Sequence, residues 1–157
     1  MGKFECNLPN EAATVQLAER LADTVQAGDV IRLEGDLGAG KSTFARAFIR
    51  AMGTQSQHIP SPTYTIMQVY DDTKLPVAHL DCYRLDDPEE LAFLGLEDYL
   101  QTGIVMAEWP PAPLQHTEKT AGTLTIQLGI VESGRSANFS VIGTWEDRLP
   151  ALEIICR

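Results

Sequence analysis

The glycine-rich segment Gly35 to Ser42 restricts what this sequence can fold into more than any other part of it. Its residues, GDLGAGKS, fit the pattern GxxxxGK[ST]. The segment follows an aliphatic strand predicted at Asp29 to Glu34 and precedes a predicted helix that starts near Lys41 and ends at Gly53. In that context the glycines let successive N–H groups surround phosphates, and the helix adds its N-terminal dipole. The sequence therefore predicts a nucleotide-binding loop; a glycine turn without function is the alternative.

Two side chains of this loop have predicted roles in binding a nucleoside triphosphate. Lys41 is expected to reach the β- and γ-phosphates, and Ser42 is expected to place its hydroxyl on Mg²⁺. The sequence has no NKxD motif that would read guanine, so nothing favours GTP over ATP. It also lacks the arginine-rich lid expected of a small-molecule kinase.

A phosphate loop of this kind needs an acid that holds Mg²⁺ or orients water, and two carboxylates are candidates. Glu108 directly follows an apolar strand predicted at Thr102 to Ala107, where such an acid is expected. Asp81 lies in a strand predicted at Val77 to Tyr83, whose alternation puts it on the same face as His79 and Tyr83. Asp81 could therefore face the phosphates, or it could form a surface ion pair.

Two further features near these acids each allow two interpretations. The segment Ser61 to Tyr64, SPTY, occupies the loop where many nucleotide hydrolases contact the γ-phosphate, but a plain Ser-Pro turn explains it equally well. Trp109 could stack on a nucleotide or substrate, or it could be packed against the protein.

The rest of the pattern predicts strands interleaved with helices. An amphipathic helix is expected from an N-cap at Asn10 to a stop at Gly28, and another helix from Asp87 through Phe93. One hairpin is predicted from the strands Tyr64 to Tyr70 and Val77 to Tyr83, and a second from Leu124 to Val131 and Asn138 to Thr144. The predicted fold class is α/β, a three-layer P-loop NTPase fold with a mixed sheet, and residues 1–157 are expected to form one domain.

The net charge of −10 argues against a chain that binds nucleic acid by itself, because affinity for phosphate backbones comes mostly from Lys and Arg. The segment from Asp71 to Asp98 alone holds nine acids and two bases. It is either a solvated face or a docking surface for a basic partner.

Other residue types restrict the setting of the protein. The three cysteines form no CxxC pair, so neither a disulfide framework nor a zinc knuckle is expected. The three histidines lack the spacing of a metal cluster, and structural or surface roles are expected for each. No apolar leader or run of 18 apolar residues is present, which favours a cytoplasmic protein with no membrane contact.

Four blocks together resemble one known family. GDLGAGKST, SPTY, HLDCYR and AEWP follow one another in the order and at the separations of the bacterial TsaE family, also called YjeE, and the resemblance spans nearly the whole chain. It implies a P-loop ATPase of tRNA threonylcarbamoyladenosine (t6A) biosynthesis. In that family the partners TsaD and TsaB carry out the threonylcarbamoyl transfer, and ATP hydrolysis by TsaE is thought to reset them. The expected contact with tRNA is therefore indirect, through this complex, and no contact with DNA is expected.

The resemblance also implies roles for individual residues. Glu108 matches the metal-site acid together with Ser42, Asp81 matches the acid of the HxDxYR block, and Trp109 matches the Trp beside the metal acid. The expected phosphate contacts are Gly38, Ala39, Gly40, Lys41, Ser42 and Thr43, with Thr63 of the SPTY loop sensing the γ-phosphate. The candidates for adenine contact are Asn10, Glu11, Glu132 and Arg135.

The sequence thus predicts an ATP- and Mg²⁺-dependent hydrolase that is weak alone and stimulated by TsaB and TsaD. Its catalytic candidates are Lys41, Asp81 and Glu108. Two alternatives from other classes are a small-molecule kinase and an ATP-gated binding module whose hydrolysis is incidental.

Overall fold

A computed structural model describes residues 3–62, 66–85, 87, 89–90, 94–111 and 122–156. The strands are β1 (Lys3–Leu8), β2 (Asp29–Glu34), β3 (Met67–Tyr70), β4 (Val77–Asp81), β5 (Ile104–Glu108), β6 (Gly122–Val131) and β7 (Gly134–Gly143). The helices are α1 (Glu11–Ala22), α2 (Lys41–Ala51), α3 (Glu97–Thr102), a 3₁₀ helix (Thr144–Arg148) and α4 (Leu149–Ile155). Among these residues, no helix has the length and apolar character needed to cross a membrane.

The strands form a mixed sheet in the order β1-β7-β6-β2-β5-β4-β3. Strand β2 lies parallel to β5 and β6, and β4 lies parallel to β5. The pairs β3-β4, β6-β7 and β1-β7 are antiparallel. Both predicted hairpins and the predicted mixed sheet are therefore confirmed. Because β2, β4 and β5 run in the same direction, their carboxyl ends meet at one edge, which is where the phosphate loop begins.

Helices cover the sheet on two faces. Alternate residues of β2 face opposite sides, so Ile31 joins the core under α1 and α2 whereas Val30 joins the core against α3. The first core contains the fully buried Phe44 and Trp145, and the second contains Leu80. This arrangement confirms the predicted three-layer α/β fold.

Two predictions for the amino-terminal region need correction. Helix α1 begins as predicted, with the Asn10 side chain accepting from the N–H of Ala13, but it ends at Ala22 rather than at Gly28. The chain turns early because the N–H of Gln26 donates to the Asp29 carboxylate, which ties the following residues to the start of β2. Strand β1 is not predicted, although its buried Cys6 and Leu8 alternate with exposed residues.

Strand ends near the site also differ from the prediction. Strand β4 stops at Asp81, and Tyr83 lies in a turn in which its N–H donates to the Asp81 carboxylate at 3.0 Å. The same-face prediction is therefore right for His79 and Asp81 and wrong for Tyr83, whose side chain is exposed. Strand β5 starts at Ile104 rather than at Thr102, because Thr102 is the last residue of α3.

The second hairpin is longer than predicted, with strands that begin at Gly122 and Gly134, and Thr144 belongs to the 3₁₀ helix. The sequence does not predict α4. The helix predicted from Asp87 through Phe93 falls mostly outside the described residues, as do the first two residues of the strand predicted at Tyr64 to Tyr70. Within the described part, Asp87 does cap a turn, since its carboxylate accepts from the N–H of Glu89 at 3.0 Å.

Candidate nucleotide site

The phosphate loop leaves β2 and enters α2 at Gly40. Gly40 is the N-cap of α2 in a left-handed conformation, with φ of 107°, and no side chain caps the helix. Helix N-termini have N–H groups without intrahelical partners, so this end of α2 can bind an anion. Gly35, at the start of the loop, has φ of +139° and lies against the backbone of β6.

Lys41 is buried although it carries a charge. Its Nζ donates to the carbonyl oxygens of Gly35 and Asp36 and lies 4.1 Å from the centroid of the Trp109 ring. Burial lowers the pKa of Lys41, and the Glu108, Asp36 and Asp81 carboxylates act in the opposite direction. The predicted phosphate-binding lysine therefore lies at the base of the loop with both predicted acids close enough to affect its charge.

Glu108, the last residue of β5, is held by two hydrogen bonds from different parts of the chain. The Ser42 hydroxyl donates to Oε1 at 3.0 Å, and His79 Nε2 lies 2.7 Å from Oε2. Ser42 and Glu108 are 66 residues apart in the sequence, so only the fold brings this hydroxyl and carboxylate together. The histidine contact fits the structural role expected for His79, and it is made directly to a predicted metal ligand.

One cavity of about 370 Å³ contains most of the predicted phosphate and metal residues. Its lining residues are Leu37, Gly38, Gly40, Lys41, Ser42, Thr43, Asp81, Tyr83, Arg84, Glu108 and Trp109. Asp81 and Glu108 are opposite each other in the parallel pairing of β4 and β5, which explains why both reach this cavity. Ala39, a predicted phosphate contact, is buried and does not line the cavity. Tyr83 and Arg84 belong to the same cavity, although the sequence does not predict them as site residues.

Trp109 is neither a plain core residue nor a free surface residue. Its backbone has φ of 52°, which is uncommon for a bulky residue, and its ring lies 5.0 Å from that of Tyr83 and over the Lys41 ammonium. The next residues are fixed by the buried Arg32, which donates to the carbonyl of Pro111 at 2.8 Å. The tryptophan thus forms one wall of the cavity, in contact with the loop lysine.

A second cavity of about 240 Å³ lies on the other side of the phosphate loop. Asn10, Glu11 and Arg135 line it together with Gly38, Gly40 and Thr43, so three of the four predicted adenine candidates are near the loop. Arg135 is tied to the loop by a bond from its Nε to the Gly38 carbonyl at 3.2 Å. Glu132 lies exposed in the turn between β6 and β7 and lines neither cavity. Thr63 lies outside the described residues.

The donor set suits Mg²⁺. A hydroxyl and a carboxylate oxygen, from Ser42 and Glu108, are hard ligands of the kind that Mg²⁺ takes. The described residues contain no cluster of three or more acidic, histidine or cysteine side chains that could form a cage for a metal. This agrees with the usual Mg²⁺ site of nucleotide enzymes, where one or two protein ligands act together with substrate phosphates.

The sheet order and the loop between β2 and α2 define the class of the protein as a P-loop NTPase fold. A solved structure, the crystal structure of Bacillus subtilis YdiB, superposes with a TM-score of 0.72 at 30% sequence identity over 97% of this chain and 93% of that one. A sequence model described as "Threonylcarbamoyl adenosine biosynthesis protein TsaE" matches residues 8–137. The chain belongs to the TsaE family, as the sequence resemblance predicts.

Individual relatives carry the name tRNA threonylcarbamoyladenosine biosynthesis protein TsaE. The protein from Bacillus subtilis is 39% identical over 78% of this chain and 81% of the relative. The protein from Rickettsia felis is 39% identical over 65% of this chain, and the protein from Rickettsia conorii is 38% identical over the same share. The chain spans 60% and 58% of the length of those two Rickettsia proteins.

Proposed function

We propose that the protein is a Mg²⁺-dependent ATPase that acts in tRNA t6A biosynthesis. The observation that carries this proposal is the hydrogen bond of 3.0 Å between the Ser42 hydroxyl and the Glu108 carboxylate, at the base of the cavity that Lys41 also lines. It joins the phosphate loop to the acid at the end of β5, the combination by which P-loop enzymes hold a metal against the β- and γ-phosphates. The names of the relatives support the biosynthetic pathway.

In the proposed reaction each residue has a separate task. The N–H groups of the loop and the Lys41 ammonium bind and orient the phosphates, and Ser42 and Glu108 hold Mg²⁺. The chemistry that Mg²⁺ supplies when bound is neutralisation of charge on the phosphate oxygens. Asp81, which lines the same cavity, positions the attacking water, and Thr63 senses the γ-phosphate. Asn10, Glu11 and Arg135 of the second cavity are proposed to contact adenine.

Calorimetric titration with ATP and Mg²⁺ tests nucleotide binding. Lys41→Ala should weaken affinity by about tenfold to a hundredfold or more, because a hydrogen bond to a charged group contributes about 1.5–3 kcal/mol. Lys3→Ala is the matched control, since Lys3 is exposed on β1, far in the sequence from the loop. Undiminished affinity in Lys41→Ala would contradict the assignment.

Asp81→Asn separates hydrolysis from binding. If Asp81 positions water, this variant should lose hydrolysis by about a hundredfold or more while ATP affinity changes only a few-fold. An equal loss of both would show that Asp81 acts in binding instead. Measurement of released phosphate against phosphate transferred to a metabolite also distinguishes a hydrolase from a kinase.

We propose TsaB and TsaD as the partners, with tRNA reached only through them. Two features support docking of a partner: Leu37 and Tyr83 are 77% and 62% exposed at the mouth of the cavity, and a group of exposed acids occurs between Asp71 and Asp98. The described members of that group are Asp71, Asp72, Asp87, Glu89, Glu90, Glu97 and Asp98. Asp71 and Asp72 follow the end of β3 that pairs with the start of β4, so they lie at the opposite edge of the sheet from Asp81. Such a group of acids favours a basic partner and disfavours direct contact with tRNA.

ATPase activity measured with and without purified TsaB and TsaD tests the partnership. We expect stimulation by the two proteins that weakens with added salt and is reduced in the double variant Glu97→Lys with Asp98→Lys. The basal activity of that variant should equal that of the wild type, since both residues lie away from the cavity lining. No stimulation of the wild type would remove the partner proposal. A nonhydrolysable ATP analogue that supports repeated rounds of tRNA modification would favour an ATP-gated binding module instead.

A further inference from the structure

His79 is a buried polar residue to which neither the phosphate-loop motif nor the proposed reaction assigns a role. Its side chain is fully buried, and Nε2 lies 2.7 Å from Oε2 of Glu108, whose own side chain is 3% exposed. Among the described residues, its other ring nitrogen, Nδ1, has no hydrogen-bond partner. Burying an imidazole costs free energy unless its polar atoms are used, so the single contact that it makes is expected to matter.

The proposed role of Glu108 determines which ring nitrogen carries hydrogen. A carboxylate that holds Mg²⁺ is ionised and can only accept hydrogen bonds, so the contact with Oε2 requires hydrogen on Nε2 of His79. The donor role cannot pass to Ser42, because its hydroxyl is directed to the other carboxylate oxygen, Oε1, at 3.0 Å. Each oxygen of Glu108 therefore has its own donor, one from β4 and one from α2.

Two donors on two oxygens fix a side chain that otherwise has three rotatable bonds. Glu108 also has reasons to move: Asp81 is its register partner on β4, and Lys41 is close enough for the Glu108 charge to affect its pKa. Repulsion from the first and attraction to the second would shift an unrestrained carboxylate from the position in which Ser42 binds it. His79 opposes this movement from the buried side, since it lies on the same strand face as Asp81 and two residues deeper in the sheet.

We propose that His79 is a positioning residue that holds the Glu108 carboxylate beside Ser42 in the orientation that receives Mg²⁺. This inference rests on the proposed function. It requires His79 to touch neither nucleotide nor metal, which agrees with its absence from the lining of both cavities. Partners of this kind change metal affinity when they are removed, because the ligand that they orient is no longer preorganised.

The test compares four proteins: wild type, His79→Leu, His79→Gln and the control His58→Leu, which removes an exposed histidine. The measurement is binding of a fluorescent ATP analogue as a function of Mg²⁺ concentration, and again in EDTA. His79→Leu should raise the Mg²⁺ concentration for half-maximal binding about tenfold or more and leave metal-free affinity within about threefold. His79→Gln, which keeps an N–H donor, should recover part of the loss, and His58→Leu should match the wild type. Wild-type Mg²⁺ dependence in His79→Leu would overturn the proposal.

A second readout needs neither metal nor nucleotide. Nitrogen-15 NMR of the imidazole rings should show hydrogen on Nε2 of the ring whose signals disappear in His79→Gln, and hydrogen only on Nδ1 of that ring would overturn the proposal. If His79→Leu does not fold, the NMR spectrum of the wild type still tests the proposal. A wild-type protein that binds no ATP would contradict the proposed function instead, and the NMR result would remain valid for His79.

Discussion

Replacing Gly35 with alanine should destabilise the protein because of its tertiary contact with β6, and not because of phosphate binding. A Cβ at this position would lie 2.4 Å from the carbonyl oxygen of Leu128 in β6, about 1 Å closer than ordinary contact. That neighbour is backbone inside the sheet and cannot rotate away. Overpacking of this kind costs about 1–3 kcal/mol. The backbone conformation, with φ of +139°, adds strain of about 1–3 kcal/mol for a residue with a side chain.

We therefore expect Gly35→Ala to lower the free energy of unfolding by about 4 kcal/mol, and the melting temperature by about 10 °C for a chain of this length. Gly53→Ala is the matched control, because Gly53 has φ of +109° but no atom within 4 Å of the added Cβ. Backbone strain alone should lower its free energy of unfolding, by about 1–2 kcal/mol. The gain from a stiffer unfolded chain is common to both variants and cancels. Urea denaturation measures both, and a difference of less than about 0.5 kcal/mol would refute the packing argument.

Three further predictions follow from buried groups outside the loop. Arg148→Met should lower the free energy of unfolding, measured in urea, by about 3–5 kcal/mol, because it leaves the fully buried Asp29 carboxylate without its two guanidinium bonds of 2.7 and 2.8 Å. The double variant Arg148→Met with Asp29→Asn should recover much of this stability. If it does not, lost packing of Arg148 is the cause instead. Burial raises the pKa of Asp29, so the native state binds its proton more tightly than the unfolded state, and this contribution to stability falls as pH rises through that pKa. Asp29→Asn should therefore flatten the slope of stability against pH just above the ordinary aspartate pKa of about 4. Burial raises the pKa of Cys82 to about 12, so few native molecules carry the reactive thiolate at pH 8. Mass spectrometry should therefore show that iodoacetamide labels Cys82 in urea but hardly at all in the native protein. Rapid labelling of the native protein would contradict its burial.

The sequence predicts the local features of this protein because they depend on residues close together in the chain. The phosphate loop, the N-cap at Asn10 and the turn of the second hairpin each follow from short-range chemistry, and each is present. The apolar run before Glu108 predicts the carboxyl end of β5, whereas β4 ends at Asp81 and not at the predicted Tyr83. Where local signals conflict with packing, the prediction is wrong, as for the end of α1, where Arg148 donates to the Thr24 carbonyl and to the Asp29 carboxylate across more than 100 residues of sequence.

By itself, then, the sequence determined that this is an α/β chain with a phosphate-binding loop, two candidate acids and the motifs of the TsaE family. Only the tertiary structure decided how the loop and the acids combine. Parallel pairing of β4 with β5 places Asp81 beside Glu108, the position of α2 brings Ser42 to one carboxylate oxygen, and His79 reaches the other. The physical reason is distance along the chain: contacts between residues that are 29 or 66 positions apart depend on strand order and burial, which no local pattern specifies.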